Sequence, residues 1–215
     1  MRTELQVELR LVKEMLASTA QAVRSALGTA TTALLAADRE AAESVISGDA
    51  RINDLCWRIE DRVQDTTARQ APVASDLRAM FAALHVAADL ERMGDLAKHV
   101  ARTATRAHPR PAVPADLAPL FGQMAGVADR MTAKLVRVLS EPDLSRAAEL
   151  DRADDAMDGL HRDLLARILA PGWPHGVQAA IDAALLGRFY ERYADHAVNA
   201  GRRVAFLVSG EAVVG

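Results

Sequence analysis

Hydrophobic residues recur every three or four positions along most of the chain, the spacing of helices that bury one face. The first series predicts a long helix whose pattern fades between residues 28 and 37; it comprises Leu5, Leu9, Val12, Leu16, Val23 and Ala26. The second runs from about Asp38 to the break at Pro72 and comprises Val45, Ile52, Leu55, Ile59 and Val63. The third runs from about Ser75 to about Thr105 and comprises Met80, Ala83, Ala87, Leu90, Gly94, Ala97 and Ala101.

A proline-rich segment then divides the chain. Pro109, Pro111 and Pro114 lie within eight residues, and because proline has no backbone N–H they cannot continue a helix. The same plan follows, with a fourth helix from Leu117 to Val138, a fifth from 143 to 169 after Pro142, and a sixth from 176 to 208. No segment alternates with the period of two that is typical of a strand. We therefore predict an all-α fold of two tandem three-helix bundles: 1–107, a linker at 108–115, and 116–215.

Two acidic segments are repeated in the same order. Glu91-Arg92-Met93-Gly94-Asp95 recurs as Glu191-Arg192-Tyr193-Ala194-Asp195, and the segment 49–55 aligns with 154–160. Both copies place oxygen-bearing side chains four residues apart, hence on one face of a helix. These pairs are Asp49 with Asn53, Glu91 with Asp95, Asp154 with Asp158, and Glu191 with Asp195.

The acidic pairs lie on a helix face that is apolar further upstream. For example, Leu84 and Leu77 are seven and fourteen residues before Glu91 and share its face. Carboxylates collected there would repel one another and lose hydration, so they need protons, arginines or a metal cation. Oxygen ligands favour hard ions such as magnesium, calcium, manganese or iron. Spacing alone leaves the alternative open that arginines neutralise these carboxylates without metal; the candidates are Arg92, Arg102, Arg192 and Arg202.

Composition excludes several other classes of protein. The 215 residues carry a net charge of only −3, which lacks the basic footprint of a nucleic-acid-binding protein. Cys56 is the only cysteine, so a disulfide framework within the chain is excluded and a reducing cytoplasm is expected. Glu4, Glu8 and Glu14 are not expected in a signal peptide, and no apolar run is long enough for a transmembrane helix.

Several stretches of this chain resemble the PhoU family of bacterial phosphate-signalling proteins. They are Arg69–Pro72 with Asp76–Arg78, Asp89–Asp95, Glu191–Asn199 and Leu207–Glu211. The resemblance implies two similar three-helix bundles related by a pseudo-twofold axis, each with a metal cluster held by Glu/Asp-x-x-x-Asp motifs. By position, the first ligand group is Asp49, Asn53, Glu91 and Asp95, with His99 one turn further on. The second is Asp154, Asp158, Glu191 and Asp195, with Asn199 one turn further on. The expected metal is iron, zinc, manganese or magnesium.

The same resemblance implies a regulatory function. Members act as negative regulators of phosphate uptake and link the phosphate ABC transporter ATPase to a sensor histidine kinase at the inner face of the membrane. We therefore expect a cytoplasmic, homodimeric regulator that is not an enzyme and does not bind nucleic acid. The chain departs from the family where Asn53 replaces a carboxylate and His99 replaces the usual asparagine, and the first of these changes lowers the negative charge of the first group.

Two other functions remain as alternatives. A carboxylate-bridged metal enzyme on a helical bundle uses Glu-x-x-His pairs, but Gly94 follows Glu91 by three residues and Ala194 follows Glu191. Neither a Gly-x-Ser-x-Gly nucleophile motif nor a phosphate-binding P-loop is present. A purely structural helical scaffold would require arginines to neutralise the repeated acidic pairs.

Overall fold

The structure is a computed structural model that describes residues 2–141 and 144–209, all of them in helices or in the turns that join helices. The helices are α1 (Arg2–Ala36), α2 (Arg39–Gln70), α3 (Ala74–Ala107), α4 (Ala118–Ser140), α5 (Leu144–Ile168) and α6 (Gly176–Ser209). Pro142 and Asp143, where we expected a turn and the start of the fifth helix, lie outside the described residues. So do Gly210 and Glu211, which end the last of the stretches that resemble the family.

The first helix continues through the region where its pattern was expected to fade. Ala30, Ala33 and Leu34 are buried at helical spacing within that region, so packing holds this part of the helix against the core. The chain then reverses at Ala37, whose φ is 52°, and Asp38 caps α2 by accepting a hydrogen bond from the Ala41 N–H at 3.0 Å.

Helices α1, α2 and α3 pack on one another as one bundle, and α4, α5 and α6 form a second bundle. The bundles meet where α1 lies on α4 and α3 lies on α6. The α3–α6 contact is antiparallel, because Arg106 near the end of α3 pairs with Asp182 near the start of α6. The predicted all-α fold of two tandem three-helix bundles is therefore confirmed.

Polar contacts between the bundles supplement the apolar core. Arg24 on α1 donates two hydrogen bonds to the Asp129 carboxylate on α4, at 2.6 and 2.9 Å. The hydroxyl groups of Tyr190 on α6 and Thr31 on α1 lie 2.6 Å apart in a fully buried position. The proline-rich segment lies between α3 and α4, where Ala112 and Val113 are buried. Among the described residues, no helix has the length and apolarity needed to cross a bilayer.

Candidate metal centre

Helix α2 approaches α3 closely at the level of the first acidic pairs, because Gly94 has no side chain. A Cβ atom at Gly94 would lie 3.0 Å from Cγ2 of Ile52, tighter than an ordinary contact. Since Ile52 is β-branched and stiff at χ1, it has little freedom to move away. This glycine therefore allows the carboxylates of α2 and α3 to lie near one another.

The first acidic group comprises Asp49, Asn53, Glu91 and Asp95, and a lysine lies within it. Nζ of Lys98 donates to Oδ2 of Asp49 and to Oδ1 of Asp95, at 2.6 Å each. The Lys98 side chain is only 15% exposed and that of Asp49 only 9%. One buried ammonium group therefore bridges carboxylates that belong to two different helices.

The electrostatics of Lys98 favour its charged form. Burial acts to lower the pKa of Lys98, but the hydrogen bonds with Asp49 and Asp95 outweigh it, so the pKa is raised. Around this pair, Nδ2 of Asn53 lies 3.4 Å from the same Asp49 oxygen and Nη1 of Arg92 lies 3.5 Å from Asp95. The other Asp49 oxygen, Oδ1, is buried without a hydrogen-bond partner.

Glu91 is half-buried on α3 and acts electrostatically on Cys56 of α2. Burial, together with the negative charge of Glu91, raises the pKa of the Cys56 thiol to about 12. Cys56 is free and 2% exposed, so it packs as a small apolar side chain.

His99 is exposed, and its ring lies against the neighbouring bundle. It stacks on Phe189 of α6, with the ring centroids 5.2 Å apart and the planes inclined by 24°. The contact places the imidazole between α3 and α6. His99, one turn after Asp95, therefore contributes to the packing between the two bundles.

The second acidic group comprises Asp154, Asp158, Glu191 and Asp195, and its carboxylates lie close enough to repel one another. Burial and then the charges of Asp195 and Asp158 raise the pKa of Asp154 to about 6. Oδ1 of Asp154 is buried and has no hydrogen-bond partner. This carboxylate is therefore poorly stabilised in its charged form.

The charged form of Glu191 is poorly stabilised too, as it is for Asp154. Burial and the charge of Asp195 raise its pKa, although the neighbouring Arg188 acts in the opposite direction. Arg188 donates a hydrogen bond to Oε1 of Glu191, whereas Oε2 is buried without a partner. Two buried oxygens, one from α5 and one from α6, are thus left without donors.

The remaining predicted residues lie at the margin of this second group. Asp195 is half-buried, and Asp158 and Asn199 are exposed. Arg202, a candidate for neutralising these carboxylates, forms its ion pair at 2.8 Å with Asp151 and acts on Asp154 only electrostatically. Within the described part of the chain, no three histidine, cysteine or acidic side chains are already arranged to hold an ion. The ligand sets therefore stay predictions.

Sequence reasoning missed two basic residues, Lys98 and Arg188. Both lie three residues from a carboxylate that they contact, Lys98 after Asp95 and Arg188 before Glu191. That spacing places partners on one helix face and could have indicated both pairs.

A buried polar cluster joins α3 to α6 beside the second group. The Asp89 carboxylate lies 3.0 Å from Nδ1 of His196 and 3.2 Å from Nε of Arg203. Asp89 is only 8% exposed, and each of its two carboxylate oxygens has a partner from the other bundle. Because His196 directly follows Asp195, this cluster fixes α6 next to the second group.

Comparison with known families and proteins gives consistent matches. The family model of the PhoU domain matches residues 16–104 and 121–204. The phosphate-specific transport system accessory protein PhoU homolog 2 of Mycobacterium tuberculosis is 43% identical over 210 residues, which cover 98% of this chain and 99% of the relative. The PhoU homolog 1 of Mycobacterium leprae is 42% identical over 210 residues, covering 98% and 95%.

Solved structures show the same fold. The crystal structure of the phosphate transport system regulatory protein PhoU from Streptococcus pneumoniae superposes with a TM-score of 0.89 at 25% identity, over 98% of this chain and 100% of that chain. PhoU from Pseudomonas aeruginosa superposes with a TM-score of 0.86 at 26% identity, over 96% and 99%.

Proposed function

The chain belongs to the PhoU family, whose members are accessory and regulatory proteins of phosphate transport, and on that premise we propose that it is a negative regulator of phosphate uptake. The observation that carries the proposal is the extent of the match. Similarity covers both bundles and almost the full length of the mycobacterial accessory proteins. A regulator that acts by binding, without turnover, agrees with this family role.

In this proposal, the protein is a cytoplasmic homodimer that links the phosphate ABC transporter ATPase to the phosphate sensor histidine kinase at the inner face of the membrane. The reduced and buried Cys56 is compatible with a reducing compartment. The near-neutral net charge supports protein partners rather than nucleic acid.

Exposed apolar side chains support an action through protein contacts. On α6, Val177, Ile181 and Leu185 recur every four residues and are 75%, 49% and 46% exposed. Phe81, which lies 100 positions before Ile181, is 56% exposed on α3. Exposed apolar side chains in a row, as on α6, mark interaction sites on soluble domains.

We include metal binding by the second acidic group in the proposed function, because the chemistry of its carboxylates favours a cation. Asp154 and Glu191 each hold a buried oxygen without a donor, and their charges repel those of neighbouring carboxylates. A cation held by Asp154, Asp158, Glu191 and Asp195 would satisfy these oxygens and offset the repulsion. The donors are all carboxylate oxygens, which suit a hard ion such as manganese, magnesium or iron.

The first acidic group fits a metal less well. Lys98 already offsets part of the negative charge of Asp49 and Asp95, and an amide, Asn53, stands in place of the fourth carboxylate.

Gene deletion and complementation in the host test the regulatory role. Deletion should raise phosphate uptake and expression of phosphate-responsive genes in phosphate-rich medium, and the wild-type gene should restore both. The double variant Asp154→Asn/Asp195→Asn should restore them poorly, because it lacks two proposed ligands. Asp155→Asn, at an exposed neighbouring position, is the matched control and should complement fully.

The outcomes separate the two parts of the proposal. Unchanged uptake and gene expression after deletion, in both rich and starved cells, would refute the regulatory role. Full complementation by the double variant would leave regulation standing and count against the metal.

A further inference from the structure

The two acidic groups differ in how their negative charge is compensated. In the first bundle, the Lys98 ammonium is held between Asp49 and Asp95, at 2.6 Å from an oxygen of each. The Lys98 and Asp49 side chains are 15% and 9% exposed, so water reaches them little, and that of Asp95 is 27% exposed. This geometry resembles that of a bound cation, with ligands from two helices around one positive charge.

The internal repeat shows what differs at the corresponding place in the second bundle. Glu91 and Asp95 correspond to Glu191 and Asp195, and the same offset aligns Lys98 with Val198. Val198 is 3% exposed and packs in the apolar core. The second group thus has more carboxylates and no lysine at the equivalent position.

The basic residues that do approach the second group leave part of it unsatisfied. Arg188 binds one oxygen of Glu191, and Arg202 is engaged by Asp151. The buried oxygens Oε2 of Glu191 and Oδ1 of Asp154 still have no donor. The first group also keeps one such oxygen, Oδ1 of Asp49, but the Lys98 ammonium is bound to the other oxygen of the same carboxylate. The second group has more carboxylates and no such bridging cation, so it would gain more from a cation taken from solution.

For a metal to enter the first group, the Lys98 ammonium would have to leave two short, largely buried hydrogen bonds. A metal in the first group would also have one carboxylate ligand fewer, because Asn53 occupies the position that corresponds to Asp158 in the second repeat. An amide oxygen carries no charge and binds hard cations less strongly than a carboxylate. Both differences act against metal in the first bundle.

We propose that Lys98 is a built-in counter-ion that takes the place of metal in the first acidic group, so that the chain loads metal only in its second bundle. This inference rests on the proposed metal binding by the second group. It assigns Lys98 a specificity-determining role and makes the tandem repeat functionally asymmetric.

The test is a manganese titration of the purified full chain, followed by calorimetry and by elemental analysis after dialysis. The wild type should bind manganese. The double variant Asp154→Ala/Asp195→Ala should lose this binding, and the double variant Asp49→Ala/Asp95→Ala should keep it. Lys98→Val copies the residue of the second bundle, and it should raise the bound manganese per chain about twofold, because two groups then load in place of one. Asp49→Ala/Asp95→Ala in the Lys98→Val background should abolish that gain.

The reciprocal variant Val198→Lys and the control Lys134→Val, at a partly exposed lysine that also forms an ion pair, complete the set. Val198→Lys should reduce manganese binding by the second group if it folds, which its circular dichroism would report. Lys134→Val should leave the stoichiometry unchanged. These two results would separate a specific effect of position 98 from a general effect of removing a lysine.

Two different failures are distinguishable. If the wild type loses half or more of its manganese on Asp49→Ala/Asp95→Ala, the role of Lys98 is refuted while the proposed metal binding survives. If the wild type retains no manganese, the metal part of the proposed function and this inference are both refuted. No gain in Lys98→Val, in a folded protein whose second group binds manganese, refutes the inference alone.

Discussion

The carboxylate of Asp89 on α3 lies 3.0 Å from Nδ1 of His196 on α6, in the interface between the two bundles. Its second oxygen is held by Arg203 at 3.2 Å. One buried acidic side chain of the first bundle therefore holds two basic groups of the second. The residue next to His196 is Asp195, so this contact also positions a proposed ligand.

Asp89→Ala should destabilise the fold. The substitution leaves His196 and Arg203 partly buried without their acceptor, so the free energy of unfolding should fall by about 1–3 kcal/mol. Urea denaturation followed by circular dichroism measures the change. Asp163→Ala removes an exposed carboxylate that pairs with Arg167 on the same helix, and it should cost about 0.5 kcal/mol or less. Equal effects of the two variants would contradict the structural role of Asp89.

Lys98→Met should destabilise the metal-free protein. Methionine keeps much of the apolar stem but leaves Asp49 and Asp95 uncompensated. We expect a loss of about 2–3 kcal/mol, below the ~3–5 kcal/mol of a fully buried pair, because Asp95 remains partly hydrated. Lys134→Met is the matched control: its ion pair with Glu149 is exposed and should contribute about 1 kcal/mol at most. A loss no larger than that of Lys134→Met would show that the buried pair contributes little.

Asp154→Asn should act in the opposite direction. The Asp154 carboxylate is half-buried and surrounded by negative charges, so removing its own charge should stabilise the metal-free protein by about 0.5–1 kcal/mol. Manganese should raise the melting temperature of the wild type, because it binds the folded state preferentially, and should raise that of Asp154→Asn much less. Thermal unfolding with and without manganese after EDTA treatment measures both effects. Asp155→Asn should behave as the wild type; a destabilised Asp154→Asn without metal would contradict the repulsion.

Gly187→Ala should disturb the packing of α5 on α6. A Cβ atom at position 187 would lie 2.4 Å from Cδ2 of Leu164 and 3.1 Å from Cδ2 of His161, so these side chains must move. Overpacking a core costs about 1–3 kcal/mol. This cost should outweigh the ~0.5–1 kcal/mol that alanine gains over glycine in a helix, so we expect a net destabilisation. Gly159→Ala is the control, since its Cβ would meet nothing within 4 Å and alanine favours the helix by about 0.5–1 kcal/mol. Chemical denaturation should therefore give opposite signs for the two glycines.

Helical periodicity predicted the fold well, because each bundle is built by burying apolar stripes that are written directly in the sequence. The exception was the end of α1, where Gly28 and successive threonines weaken the local preference. There the hydroxyls of Thr31 and Thr32 bond back to the carbonyls of Leu27 and Gly28, and contacts with the core maintain the helix. Such contacts depend on the other helices, so a local pattern could not reveal them.

The candidate site was predicted only in part. The repeated spacing of carboxylates indicated which residues share a face, and Asp49 and Asp95 do converge on one point. What lies between them depends on the rotamer of Lys98 and on the approach of α2 permitted by Gly94. Likewise, the pairing of Arg202 with Asp151 follows from the angle between α5 and α6 and not from the position of either residue in the chain. Side-chain direction across helices is not encoded in spacing along a single helix.

The buried thiol of Cys56 has a practical consequence. It is the chain's only cysteine, it is buried on α2 where the charge of Glu91 on α3 still acts on it, and its pKa near 12 keeps it almost entirely protonated at neutral pH. An alkylating reagent can therefore reach it in reactive form only when the packing around it opens. The rate at which Cys56 is alkylated therefore reports how often this part of the first bundle opens. Cys56 lies on α2 about two turns from Asp49, the partner of Lys98, so no engineered cysteine is needed.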